Sequence, residues 1–216
     1  IVHAGARPVY CDIDPATLNC DPVDALRRLE ATPEIAAVIL VDLFGRVCEP
    51  GVIQDYCEAH DIPIVQDAAQ SIGARDSRGK PIGHASRVGC LSFYPTKNLG
   101  ALGDAGGLVS NDRNLIERIR RLRVHGETEP GHFEELGINS RMDAIQAAAL
   151  SIKLRHLPEW TAKSQQMAQH YDRLFADQGA VSSDLSMRDA SLPIQTPVPV
   201  AAPGQHTYHR YVVRLE

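Results

Sequence analysis

Short apolar, β-rich runs alternate with amphipathic helical stretches through the first two thirds of the chain. The runs "RPVYCDI" (residues 7 to 13), "AAVILVDL" (36 to 43), "PIVQDA" (63 to 68), "VGCLSFY" (88 to 94) and "GGLVS" (106 to 110) predict strands. Several are apolar on both faces, the pattern of strands covered by helices on each side. Between them, helices are predicted near 21 to 30, with Pro22 suited to the first turn, and near 50 to 60 and 112 to 123. In the last of these Leu115, Ile116, Ile119 and Leu122 form the apolar stripe. Strand and helix alternating in this way predict an α/β fold with a mostly parallel sheet.

After about residue 140 helix follows helix. In "SRMDAIQAAALSIKL" the apolar positions 142, 145, 149 and 152 recur at helical spacing, and Ser140 with Asp143 three residues later predicts an N-terminal capping arrangement. Pro158 then opens a second helix, with Met167, Tyr171 and Leu174 on one face. A stretch rich in Ser, Pro and Ala (181 to 206) leads to a last predicted strand in "YHRYVVRL". The change of pattern predicts a boundary near 155, dividing a large domain (1–155) from a connecting helix and the start of a smaller domain (156–216). The start at Ile1 and the stop straight after a strand-like run suggest a piece of something longer.

Composition narrows the function classes. With 22 basic and 27 acidic residues spread without long runs, a net charge of -5 gives no reason to expect nucleic acid or an anionic membrane as a partner. The five cysteines never take the C-x-x-C spacing of a zinc or redox site, and they read as reduced core residues of a cytoplasmic protein. No stretch approaches a membrane span or a secretory signal.

Several candidate motifs have bland readings that outweigh the sharp ones. Gly100, Gly103 and Gly106 fit neither nucleotide-loop spacing, and Lys97 precedes them. "DID" (Asp12 to Asp14) resembles a glycosyltransferase metal pair, but a strand end turning at Pro15 explains it more simply. His206 and His209 in "HTYH" would point to opposite faces of a strand. The arginines of "RIRRLR" are most simply a solvated helix face. Ser92 stands in no serine-nucleophile elbow.

Asp67, Ser92 and Lys97 make sense together. They fall at the ends of predicted parallel strands, the edge where open α/β sheets bind ligands. There a carboxylate, a hydroxyl and an amine made nucleophilic by burial would suit pyridoxal phosphate, which needs a lysine for its aldehyde, an acid for its ring nitrogen and donors for its phosphate. The bland alternative is a surface lysine beside a glycine turn and an aspartate that caps the next turn.

The segments "VQDAAQSIGA", "LSFYPTKNLGALGDAGGLVSND", "RVHG" and "GINSRMDAIQAA" resemble the nucleotide-sugar aminotransferases, the DegT/DnrJ group of fold-type I PLP-dependent enzymes, with likeness from "GARPVYCDIDPATLN" to "TYHRYVVRL". The resemblance implies an aspartate aminotransferase-like large domain and pyridoxal 5'-phosphate as cofactor. It implies that Lys97 forms the Schiff base, that Asp67 pairs with the pyridine nitrogen and that Gln70 hydrogen-bonds the phenolic oxygen. Ser92 would donate to the phosphate, and Asn139 would reach the phosphate of the other subunit of a homodimer. Because dehydratase relatives carry histidine in place of the lysine, Lys97 points to transamination, from an amino acid such as glutamate to a nucleotide-linked keto sugar. It further implies an N-terminal segment and a completed small domain outside these residues. Two other readings stand beside this one: a non-catalytic PLP-binding regulatory relative, and a metal-dependent glycosyltransferase using "DID".

Overall fold

The structure, a computed structural model, describes residues 1–182, 191–200 and 204–215. Helix α1 (Pro22–Ala31) precedes strand β1 (Val38–Val41), helix α2 (Gly51–Ala59), β2 (Ile64–Asp67), β3 (Val88–Ser92), β4 (Gly106–Val109) and helix α3 (Arg113–Leu122). A short hairpin, β5 (Glu127–Glu129) and β6 (His132–Phe133), leads to helices α4 (Ala144–Lys153) and α5 (Leu157–Asp177). Strands β7 (Val181–Ser182), β8 (Ile194–Thr196) and β9 (Arg214–Leu215) follow.

The main sheet runs β1-β2-β3-β4, with β1, β2 and β3 parallel and β4 antiparallel to β3. The fold is therefore α/β with a mixed, mostly parallel sheet. Pairing of Leu40 with Gln66 and Val41 with Asp67 sorts the side chains onto two faces. On one face Leu40 and Ile64 pack with Ala25 and Leu29 of α1 and Ile53 and Cys57 of α2 in the main core cluster. On the other face Ile39 and Val41 remain 44% and 39% exposed, so helices cover the strands on one face only among the described residues. A second cluster of Leu99, Ala101, Leu150 and Leu157 ties the loop after β3 to α4 and α5.

Local sequence accounts for the helix starts. The Asp21 carboxylate accepts from Val23 N ahead of Pro22, and Asp112 accepts from Leu115 N ahead of α3. At α4 the arrangement differs from expectation. Asp143, not Ser140, is the N-cap, and the Ser140 N–H is spent on Arg123 O.

Two expected strands shrink. Residues 7 to 13 form none: Tyr10 is 79% exposed and only Ile13 bridges, to Cys20. The chain turns back at Asp14, whose carboxylate accepts from Ala16 N and Thr17 Oγ1, and without a neighbour beyond the turn there is no ladder to join. The strand expected over 208–215 is confined to β9, because Tyr208 takes a left-handed φ of 48° that breaks an extended run. The stretch expected to be loose (181 to 206) contains β7 and β8, while residues 183–190 and 201–203 of it lie outside the described residues. Of the cysteines expected in the core, Cys48 and Cys57 are buried but Cys11 is exposed, its Sγ 3.3 Å from that of Cys20. No helix among the described residues is long and apolar enough to cross a membrane.

Candidate active site

Three parallel strands end at one edge, and their exit loops build the site. Asp67 closes β2 and is paired with Cys90; Ser92, two residues further along β3, lies on the same face as Asp67. Gln70 follows in the loop after β2, and Lys97 in the loop after β3. The structure thus gathers Asp67, Gln70, Ser92 and Lys97 at the C-terminal edge of the sheet, where open α/β sheets bind ligands.

Each of these groups has one side fixed by the protein and the other left over. Asp67 Oδ1 accepts from Ala69 N at 3.1 Å, while Oδ2 takes no hydrogen bond among the described residues. Gln70 Oε1 accepts from Phe44 N at 2.6 Å, which fixes the amide orientation and leaves the Nε2 protons to donate outward. Ser92 Oγ accepts from Tyr94 N at 3.3 Å, so its own proton is available. Lys97 is half-buried rather than enclosed, and its backbone N–H donates to Tyr94 O in a tight turn.

The lysine loop is clamped from several sides. A Cβ on Gly100 would collide with the carbonyl of Pro95, so the close return of the chain requires glycine there. Lys153 Nζ donates to Gly100 O at 2.7 Å, and Gln146 Oε1 of the same helix accepts from Leu102 N. The glycine-rich run is thus a packing device for the loop that carries Lys97.

The structure also brings in residues that sequence reasoning missed as site components. Asn98 Nδ2 donates to Thr207 O, so its Oδ1 accepts from Nδ1 of His209 at 2.8 Å. Burial, then Lys97 and Arg210, push the His209 ring below its ordinary range. Thr207 Oγ1 bridges Gly45 O and Gln70 O, joining the loops after β1 and β2 to the C-terminal segment. The adjacency of Asn98 to Lys97 was the only sequence signal for this. The "HTYH" segment forms a bend in which His206 stacks on Tyr208 at 3.9 Å.

Beneath the site Asp42, buried at the end of β1, accepts from Ser71 Oγ, Gln66 Nε2 and Cys48 N. Gln66 in turn accepts from Gly83 N. Burial raises the Asp42 carboxyl to about 6 against these bonds.

Asn139 is not brought into the cluster. It is exposed, bridged through the backbone to Val124, and its Oδ1 accepts from Arg141 Nε. In "RIRRLR", Arg118 and Arg121 pair with Glu135, as a solvated helix face would. Among the described residues no three or more His, Cys, Asp or Glu are grouped to hold a metal ion.

A family model described as the DegT/DnrJ/EryC1/StrS aminotransferase family matches residues 1–216. The chain belongs to this family. It is 42% identical over 78% of its length to UDP-2-acetamido-2-deoxy-3-oxo-D-glucuronate aminotransferase of Pseudomonas aeruginosa, covering 46% of that protein. It is 38% identical over 99% of its length to a pleiotropic regulatory protein of Geobacillus stearothermophilus, covering 54% of that protein. Among solved structures, S. venezuelae DesV in complex with a ketimine intermediate superposes with a TM-score of 0.86 at 35% identity, over all of this chain and 53% of that one. The chain thus spans about half the length of the relatives it matches. With family members of this kind as its structural neighbours, the α/β fold expected from the motifs is the one observed.

Proposed function

We propose that the chain carries the catalytic lysine of a PLP-dependent aminotransferase that moves an amino group from an amino acid, glutamate by preference, to a nucleotide-linked keto sugar. One observation carries the reading: at a single sheet edge a carboxylate oxygen, an amide NH2, a hydroxyl proton and an amine are each left uncommitted by the hydrogen bonds among the described residues. That donor and acceptor set suits the ring nitrogen, phenolic oxygen, phosphate and aldehyde of pyridoxal phosphate. When bound, this cofactor supplies an electron sink for the bond broken at the substrate carbon.

The residues divide the remaining work. Asp67 would accept a hydrogen bond through Oδ2 from the protonated ring nitrogen and so keep the proton on that nitrogen. Gln70, oriented by Phe44, would donate a hydrogen bond from Nε2 to the phenolic oxygen, and Ser92 would donate one from its hydroxyl to the phosphate. Lys97 would hold the cofactor through its side-chain amine, and the same amine, once free, would be the group placed to move a proton at the substrate carbon. Asn139, exposed and apart from the others, is assigned to the cofactor phosphate of a second subunit, so the working form is a homodimer. Residues 1–155 form the cofactor-binding unit and 156–216 open the second domain, in a protein of the cytoplasm.

The names of sugar aminotransferase relatives support the substrate class. Two relatives named as regulatory or sensory transduction proteins support a second reading, a PLP-binding regulator without turnover. Incubating the PLP-loaded protein with glutamate separates the two. Conversion of the bound pyridoxal to the pyridoxamine form with release of 2-oxoglutarate, lost in Lys97→Ala, supports transamination and ping-pong kinetics. PLP retained without conversion by any amino donor supports the regulator.

A further inference from the structure

We propose that the pocket between the loops at 16–18 and 43–46 and strands β8 and β9 binds an oxyanion, a carboxylate or a phosphate, through Arg46, Arg210 and Arg214. These three arginines are among the residues lining one concavity, yet none forms an ion pair with an acid among the described residues. Burial pushes the Arg46 guanidinium below its ordinary range, against Tyr208 and then Asp14; among the described residues Asp14 is the one carboxylate that bears on it, and its two oxygens already accept from Ala16 N and Thr17 Oγ1. His206, also in the lining, adds no acid, and burial with the Arg46 charge holds its ring neutral well below the usual histidine range, at about 4. A lining that holds three arginines and no Asp or Glu favours an anion as its occupant.

The arginines are anchored rather than loose. Arg46 Nη1 donates to Val198 O at 2.8 Å and Arg214 Nη1 to Pro15 O at 3.0 Å, while the Arg210 side chain makes no hydrogen bond among the described residues. A guanidinium has five N–H donors, so each anchored group keeps most of its fork for a ligand, and the anchoring reduces the ordering that binding would otherwise demand. Forked donors of this kind match carboxylate and phosphate oxygens. Two lining residues, Leu18 and Phe44, hold left-handed φ angles of 61° and 59°, a conformation that non-glycine residues rarely keep without support from their surroundings.

Phe44 wires the pocket to the candidate active site. Phe44 donates its N–H to Gln70 and accepts from Arg210 N through its carbonyl. An occupant pressing on Phe44 therefore bears on the amide assigned to the phenolic oxygen. Identifying that occupant as part of a substrate, either the distal carboxylate of the amino donor or the diphosphate of the acceptor, rests on the transaminase reading; the anion binding itself does not.

The test is calorimetric titration of the cofactor-free protein at low salt with pyrophosphate and, separately, with glutarate. We expect saturable binding of at least one probe, weakened about tenfold or more in Arg210→Ala and in Arg214→Ala and weakened by added salt. Arg210→Ala removes no side-chain hydrogen bond seen among the described residues, so its circular dichroism should match that of the parent. Tighter binding of pyrophosphate assigns the pocket to a phosphate-bearing ligand, and tighter binding of glutarate to a carboxylate. Binding of neither probe, or binding that both arginine variants leave unchanged, overturns the proposal. Cofactor capture by Lys97 is read in a separate experiment, so either idea can fail without the other.

Discussion

At the scale of single residues, the buried carboxyl of Asp42 makes the clearest pH prediction. Its value of about 6 in the fold lies above the ordinary 3.8, so the folded state holds the proton more tightly than the unfolded one. Stability from this group is then greatest below about pH 4 and declines as pH rises through about 6, by about 3 kcal/mol in all for two units. His206 acts in the opposite sense, because its ring is pushed down to about 4 and stability is lost as pH falls from about 6.5 to that value. The comparison of Asp42→Asn with the parent isolates the first effect: urea unfolding from pH 4 to 7 should show the parent's stability falling relative to the variant's. Parallel curves would contradict it. None of this was legible in "VDLFG", because burial arises from packing around a position that a strand-end aspartate can equally occupy in solvent. The placement of Asp67, Ser92 and Lys97 at one sheet edge was legible because they fall at or just after strand ends that the apolar runs already marked. The orientation of Gln70 was not, since it depends on the N–H of Phe44, twenty-six residues away.

At the scale of elements, helices with polar caps and long apolar stripes could be read almost to the residue, as α1 and α3 show. Strands were harder, since β propensity in "RPVYCDI" and "YHRYVVRL" says nothing of whether a partner lies alongside. The loop between β3 and β4 lay between: its glycines were visible, but their purpose required the Pro95 carbonyl. Gly100→Ala should therefore lower stability by more than about 1 kcal/mol, since the clash is with backbone rather than a side chain free to move, and should weaken PLP capture in the same protein. Leu150→Ala, emptying a site in the cluster beneath that loop, should cost about 2–5 kcal/mol by urea denaturation. A Gly100→Ala protein with unaltered stability and cofactor affinity would show that the loop tolerates displacement.

For the whole molecule, the parallel strands aim their C-terminal ends, and with them four candidate cofactor residues, at one edge, and α4 and the segment 205–209 brace that edge from outside the sheet. The alternation of runs in the sequence foretold this edge; the antiparallel return of β4 and the bracing by Thr207 and His209 arise from tertiary contacts that no local pattern encodes. A ligand that binds only the folded chain should stabilise it by about 2.7 kcal/mol at a hundredfold excess over its dissociation constant, so the melting temperature should rise with PLP concentration and rise less in Lys97→Ala, which keeps Asp67, Gln70 and Ser92. The most direct test of the central claim is borohydride reduction of the protein after incubation with PLP, followed by peptide mass mapping. A pyridoxyl adduct confined to Lys97 is the predicted result; an adduct spread over other lysines with Lys97 unmodified, or no adduct at all, would contradict it.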